Sequence, residues 1–309
     1  MSCSPRRPHS ITRVAARLAW VSILVGSAAP ASADTLERIR SEGKLRLGYR
    51  SDAQPFSYRD EQGQPAGYAV VLCEKIAEAV KADLGLDQLQ VEFTALGNED
   101  RFDPQDPARL DLFCGATVTL DRRQKFSFSI PVFPSGTGAL LRSDSPERLR
   151  AILEGRVPPY RPQWRVSLGQ VLEKRVLSAQ TNSPAQSWLM RRRADLKLNT
   201  EIVPVNSYQD GVERVLDGRS DVMFGDRALL LETAERSPAA DELIVLERIF
   251  THQSVALALA RGDEDFRLLV DRTLSRMYRT GEIEGVYARF FGKPDSVTLS
   301  FFGFVALPE

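Results

Sequence analysis

A strand–helix–strand rhythm runs twice along this chain, and an apolar run closes each pass. In the first pass residues 44–48 (Lys-Leu-Arg-Leu-Gly) alternate as a strand, and 59–65 form a turn rich in Asp, Gln and Gly. Residues 67–82 then place Ala69, Leu72, Cys73, Ile76 and Val80 on one helical face, and 90–95 read as a second strand. A short apolar strand at 110–114 ends at Gly115, and 126–133 is another. The second pass opens with a strand at 175–178. Ser183-Pro184-Ala185-Gln186 follows, with Ser as cap, Pro in the first turn and Gln completing a capping box. Residues 201–205 are a strand, Ser207 caps a helix running to Leu216, and the apolar strand 221–225 delivers Asp226. Such alternation predicts an α/β fold with a largely parallel sheet.

The apolar runs at 136–141 and 254–260 sit where the two blocks meet, and suit strands that cross between two lobes and return. The expected division is therefore 34–136 with 255–309 as the first lobe and 137–254 as the second. A helix over 263–277 carries Phe266, Leu269, Val270, Leu274 and Met277 on one face, with Gly281 as its stop. Residues 146–174 fit this scheme least. Pro158, Pro159 and Pro162 exclude regular helix or strand around them, and the segment reads as a surface insertion.

The first 33 residues hold Arg6, Arg7, Arg13 and Arg17 and no acid; an apolar stretch over 18–29 leads to Ala31-Ser32-Ala33 before Asp34. This is the pattern of a secretory signal cleaved after Ala33. The apolar stretch falls short of the ~20 residues that span a bilayer, so the expected product is an exported protein with a periplasmic address. Of the 41 Lys and Arg, 41 less these 4 leaves 37 against 41 acids, a net charge of −4 on the body. A mildly acidic body argues against nucleic acid as a partner. Loss of the leader also removes Cys3 and His9, leaving His252, Cys73 and Cys114. That inventory excludes a histidine-rich zinc site and a CxxC redox pair. A Ser-His-Asp triad would hang on His252 alone, with no G-x-S-x-G beside it. No metal or cofactor is expected. Cys73 and Cys114 could pair in an oxidising compartment, or Cys73 could be a buried free thiol on its apolar helical face.

Ligands in open α/β sheets bind beyond the carboxyl ends of the strands, and three groups lie there. In Cys114-Gly115-Ala116-Thr117-Val118-Thr119-Leu120-Asp121-Arg122-Arg123, free amides, hydroxyls and a guanidinium fork suit a carboxylate; an N-cap beside solvated arginines is the plainer alternative. Gln180-Thr181-Asn182-Ser183 precedes a helix whose amides and dipole favour an anion, as at any helix start. Asp226 could receive an ammonium group, or simply cap the helix that follows.

In that order, Leu47-Gly48-Tyr49-Arg50, Pro55-Phe56-Ser57-Tyr58, Gly67-Tyr68, Thr117-x-Thr119-x-x-Arg122 with Phe128-Ser129, Thr181 before a capped helix, and Asp226 resemble the family 3 solute-binding proteins of ABC transporters. The resemblance covers nearly all of the chain after the leader. It implies a two-lobed, type II clamp for a polar amino acid, with a membrane permease as partner and a monomeric receptor. Thr117 and Arg122 would then hold the ligand α-carboxylate and Asp226 its α-ammonium; the spacing to Phe128 selects Arg122 over Arg123. Phe113-Cys114-Gly115 and the segment ending at Arg50 are most similar to glutamate/aspartate-binding members, in which arginines matching Arg50 and Arg101 face the side-chain carboxylate. Tyr208 stands where those members usually carry histidine, and Gln180 replaces a glycine. A second implied reading is a cyclohexadienyl dehydratase, an enzyme on the same clamp, which needs a general acid in the cleft. A sensor or adaptor has no attached module to support it.

Overall fold

The structure, a computed structural model, describes residues 35–96, 110–156, 171–172 and 174–309. In chain order the elements begin with α1 (Thr35–Glu42), β1 (Lys44–Arg50), β2 (Asp52–Ala53), β3 (Ser57–Arg59), β4 (Pro65–Ala66), α2 (Tyr68–Asp83) and β5 (Gln90–Leu96). Next come β6 (Leu112–Thr117), α3 (Leu120–Arg123), β7 (Phe126–Phe128), β8 (Phe133–Arg142), α4 (Glu147–Glu154), β9 (Val176–Gln180), α5 (Pro184–Asp195), β10 (Glu201–Val205) and α6 (Tyr208–Leu216). The chain closes with β11 (Val222–Asp226), α7 (Arg227–Glu235), β12 (Leu243–Val245), β13 (Thr251–Ala260), α8 (Glu264–Thr280), α9 (Glu282–Phe291) and α10 (Ser296–Val305). The proposed leader, residues 1–33, lies outside the described residues. No helix among the described residues is long and apolar enough to cross a membrane.

Most of the described strands join one sheet in the order β10-β9-β11-β8-β13-β6-β1-β5, with β12 beside β8 and β7 beside β13. The expectation of a largely parallel sheet needs correction. The flanks are parallel, β5-β1-β6 on one side and β10-β9-β11 on the other. The centre is antiparallel, because β8 leaves the first flank and β13 returns to it, so the two run against each other from Thr251↔Thr137 to Val255↔Phe133. An out-and-back crossing can pair only in that sense.

Burial follows the two-residue period of a strand. Ala139, Leu141, Val222 and Phe224 pack on one face with Ala185 and Leu189 of α5. Their neighbours Leu140 and Met223 pack on the other face with Val212 and Val215 of α6 and Leu230 of α7. Both faces are covered, which is why these strands read as unbroken apolar runs. A separate, larger cluster gathers Leu45, Leu47, Leu72, Ile76, Leu112, Leu257, Phe266 and Leu274 around α2 and α8. Tyr68 stands at its centre, fully buried, donating its hydroxyl to the Val132 carbonyl at 2.8 Å and touching the rings of Phe133, Tyr287 and Phe291.

Three further expectations are revised. The strand expected over 126–133 splits into β7 and β8, because Pro131 has no N–H for a ladder; Ser129 and Val132 on either side donate instead to Leu257 and Val255 at 2.9 and 2.8 Å. The strand expected to end at Cys114 runs through Gly115 to Thr117. The segment 146–174 is not wholly a surface insertion, since α4 sends Leu149 and Leu153 into the core beside β8. Gly155 closes α4 in the left-handed conformation at φ 76°. Residues 157–170, with the prolines, lie outside the described residues.

Cys73 and Cys114 are disulfide-bonded with Cα atoms 6.0 Å apart, so the pairing alternative holds, while Cys73 remains on the buried face of α2. The bond ties α2 to the strand that carries Gly115 and Thr117. Closing a loop across 41 residues corresponds to roughly 4 kcal/mol in the chain-entropy account. Replacing both cysteines with serine should therefore lower the urea midpoint clearly, and reductant should have no further effect on that variant. An unchanged midpoint would contradict the structural role of the bond.

Candidate functional site

A cleft of about 1560 Å³ opens where the parallel flanks meet the crossing strands. Arg50, Gly115, Thr117 and Arg122 line it from the β1-β6 side, and Gln180, Asn182, Trp188, Tyr208 and Asp226 from the β9-β11 side. Thr137, Thr251 and Gln253 of β8 and β13 lie between them.

Thr119 fixes the first group by capping α3, its Oγ1 accepting from the Arg122 backbone N–H at 3.1 Å. The Arg122 guanidinium turns back and donates Nη1 to the Thr117 carbonyl at 2.8 Å. Burial, and secondarily the nearby Arg50 charge, pull its pKa below the ordinary guanidinium value; arginine nonetheless stays cationic. Among the described residues no carboxylate pairs with it. Arg123 is exposed beside it. Gly115 adopts φ +94°, and a Cβ there would stand 3.0 Å from the Ala69 Cβ, so the backbone of β6 passes close to α2 only because this residue is glycine.

Asp226 ends β11 and caps α7, its Oδ1 accepting from the Ala228 N–H at 3.0 Å. The Ser135 hydroxyl donates to Oδ2. Burial raises the carboxyl above its usual value, against the lowering effect of these donors, and no cation pairs with it among the described residues. The capping role and a place in the cleft therefore coexist. Tyr208 opens α6 behind the Ser207 cap, and its hydroxyl accepts from the Asp226 backbone N–H at 2.7 Å. The ring lies against Gly225, where a Cβ would meet Cε1 at 2.7 Å. Burial first, and the Asp226 charge second, push the phenol pKa up, so the hydroxyl stays protonated and retains a proton to donate.

The other expected residues divide. Arg50 lines the cleft while its Nε and Nη2 hold the Asp52 carboxylate at 2.7 and 2.6 Å. Thr181 is fastened to β10, its hydroxyl and N–H both donating to the Val205 carbonyl at 3.2 and 2.9 Å; its neighbours Gln180, Asn182 and Ser183 line the cleft. Gln180 is buried and donates to the Asn206 carbonyl at 3.1 Å. Arg101 lies outside the described residues. His252 is exposed at the cleft margin. The described residues contain no cluster of three or more His, Cys, Asp and Glu able to hold a metal.

Sequence reasoning missed the floor. Thr137 Oγ1 accepts from Thr251 Oγ1 at 2.8 Å and from Gln253 Nε2 at 3.1 Å, joining the two crossing strands through side chains. The signal was the polar residues Thr251 and Gln253 at a two-residue spacing, just before the apolar part of β13.

The chain is similar to the L-glutamate/L-aspartate-binding protein of Pseudomonas aeruginosa, at 27% identity over 272 residues, covering 86% of this chain and 84% of that one. It is also similar to the cyclohexadienyl dehydratase of the same organism, 25% identical and covering 89% of this chain and 92% of that one. Among solved structures, the cysteine-binding protein from Campylobacter jejuni matches with a TM-score of 0.68 at 18% identity, covering 87% of this chain and 98% of that one. This likeness shows the fold to be the two-lobed, type II periplasmic binding-protein fold. Residues 45–293 match the bacterial extracellular solute-binding proteins, family 3, and the chain belongs to that family.

Proposed function

We propose that the protein is a periplasmic receptor that closes on glutamate or aspartate and delivers it to an ABC importer. The observation that carries this reading is a pair of half-buried, opposite charges in one cleft, Arg122 and Asp226, neither of which has an ion-pair partner among the described residues. An isolated buried charge is costly unless it is paired and hydrogen-bonded. A zwitterionic α-amino acid offers both counter-charges at once. Arg122 and Thr117 receive the α-carboxylate, and Asp226, steadied by Ser135 and Tyr208, receives the α-ammonium. Gly115 leaves room for that approach, Thr181 sets the turn that presents Gln180 and Asn182, and Arg50, with Arg101, attends the acidic side chain. The similarity to a glutamate/aspartate-binding protein supports this choice of ligand.

The lobes are taken as 34–136 with 255–309, and 137–254, in keeping with the separate hydrophobic clusters on the two sides. Closure about β8 and β13 would exclude water and shift an open-closed equilibrium. An ion pair at ~4 Å strengthens from about 1 kcal/mol in water to about 4 at an effective dielectric near 20. The cost of dehydrating the charges is set against that gain.

The dehydratase reading draws on one observation, the half-buried carboxyl of Asp226 in the cleft with its pKa raised. Incubation with prephenate separates the two: a receptor forms no product, whereas catalytic product formation would displace the receptor reading.

Arg122→Ala and Asp226→Ala should each weaken binding by more than ~100-fold in a calorimetric titration, in line with removing one partner of a buried ion pair. Unchanged affinity in either variant would refute that assignment.

Asp226→Asn keeps an N-cap residue and should separate stability from binding. The folded-state pKa of Asp226 is raised, so its charged form costs stability above that pKa, and the cost disappears as pH falls through it. At neutral pH the ligand-free variant should therefore melt no lower than the parent, while losing the ligand-induced rise in Tm. In the parent, affinity should fall as pH drops through the raised pKa. A lower Tm with binding retained would contradict this account.

A further inference from the structure

Arg50 ends β1 and Asp52 begins β2, with a bend at Ser51 between them. Both backbones are held by β3. The Arg50 N–H donates to Ser57 Oγ at 2.8 Å, Ser57 Oγ donates back to the Arg50 carbonyl at 2.9 Å, and Asp52 pairs with Tyr58. The resulting fork–carboxylate contact is bidentate, at 2.7 and 2.6 Å, with the two side chains only 21% and 33% exposed. Arg50 also lines the cleft, near enough to Arg122 and Tyr208 for its charge to act on both.

We infer that Asp52 tunes the ligand specificity of this cleft by holding the Nε/Nη2 edge of Arg50 and offsetting the charge that would otherwise draw a ligand side-chain carboxylate. The inference rests on the amino-acid-receptor reading above and deepens it. A second carboxylate at the same guanidinium must either displace Asp52 or bind with the Asp52 charge beside it, and like charges repel. A side-chain amide carries no charge to compete with and meets a pair that is already neutralised. Asp52 thus handicaps acidic side chains relative to neutral ones of the same shape, and the balance between glutamate and glutamine is set by this carboxylate. It acts through Arg50, as a positioning residue.

The test is calorimetric titration of the purified protein and of its Asp52→Asn and Asp52→Ala variants with glutamate, aspartate, glutamine and asparagine. Both variants should raise the ratio of glutamate to glutamine affinity by on the order of tenfold, the effect of ~1.4 kcal/mol, with aspartate and asparagine following the same trend. A merely structural role would move all four affinities together. An unchanged or lowered ratio, with binding retained, overturns the inference and leaves the receptor reading in place. If the parent prefers glutamine and the variants shift toward glutamate, the inference stands and the choice of an acidic ligand falls. Absence of binding by all three proteins to all four amino acids overturns both.

Discussion

Everything in this architecture depends on the antiparallel pairing of the two crossing strands. β8 carries the chain out of the first parallel flank and β13 brings it back, and their register couples the two sides of the cleft. Thr137 pairs with Thr251 across the crossing and with Asp226 in β11, while Val255, further along β13, pairs with Thr117. The residue proposed to hold the ammonium and the strand proposed to hold the carboxylate are therefore connected through one sheet. A slip of one residue in β8 would turn Leu140 and its neighbours to the wrong faces, and would carry Ser135 away from Asp226. The same register that buries the core thus aligns the site.

Around that frame the molecule sets charges in places that cost stability. Arg122 is drawn inward by the carbonyl of Thr117 and the cap at Thr119, and Asp226 is held by Ser135 and the start of α7. Neither arrangement neutralises the charge. Both are built from backbone and hydroxyl dipoles, which fix geometry while leaving the electrostatic demand for a counter-ion in place. Arg50 contrasts with them, because Asp52 already answers its charge. The cleft therefore combines two charges that have no ion-pair partner among the described residues with a third that Asp52 compensates.

Much of this was legible in the sequence because the signals were local. Ser183 and Ser207 cap their helices as the spacing indicates, and β10 begins and ends where the apolar pattern does. Gln186 departs slightly from the expected box, accepting from the Asn182 N–H instead of the cap residue's own. Other features depended on distant partners and were hidden. The antiparallel centre follows from topology, which periodicity along one strand does not encode. α4 was obscured by the prolines that follow it, although Leu149 and Leu153 mark its buried face. α9 brings Tyr287 and Phe291 against Tyr68, a contact between residues more than two hundred positions apart. In the site, the spacing from Thr117 to Arg122 was readable, whereas the hold of Asp52 on Arg50 and of Tyr208 on the Asp226 N–H emerges only from the fold.

The central claim is that the cleft demands a carboxylate and an ammonium together. The most direct test is a pair of calorimetric titrations at neutral pH, one with glutamate and one with glutarate, which keeps both carboxylates and lacks the amine. Glutamate should bind tightly and glutarate more than ~100-fold more weakly, the scale expected when a desolvated charge is left without its partner. Comparable affinity for the two would show that Asp226 receives no ammonium, and would contradict the account.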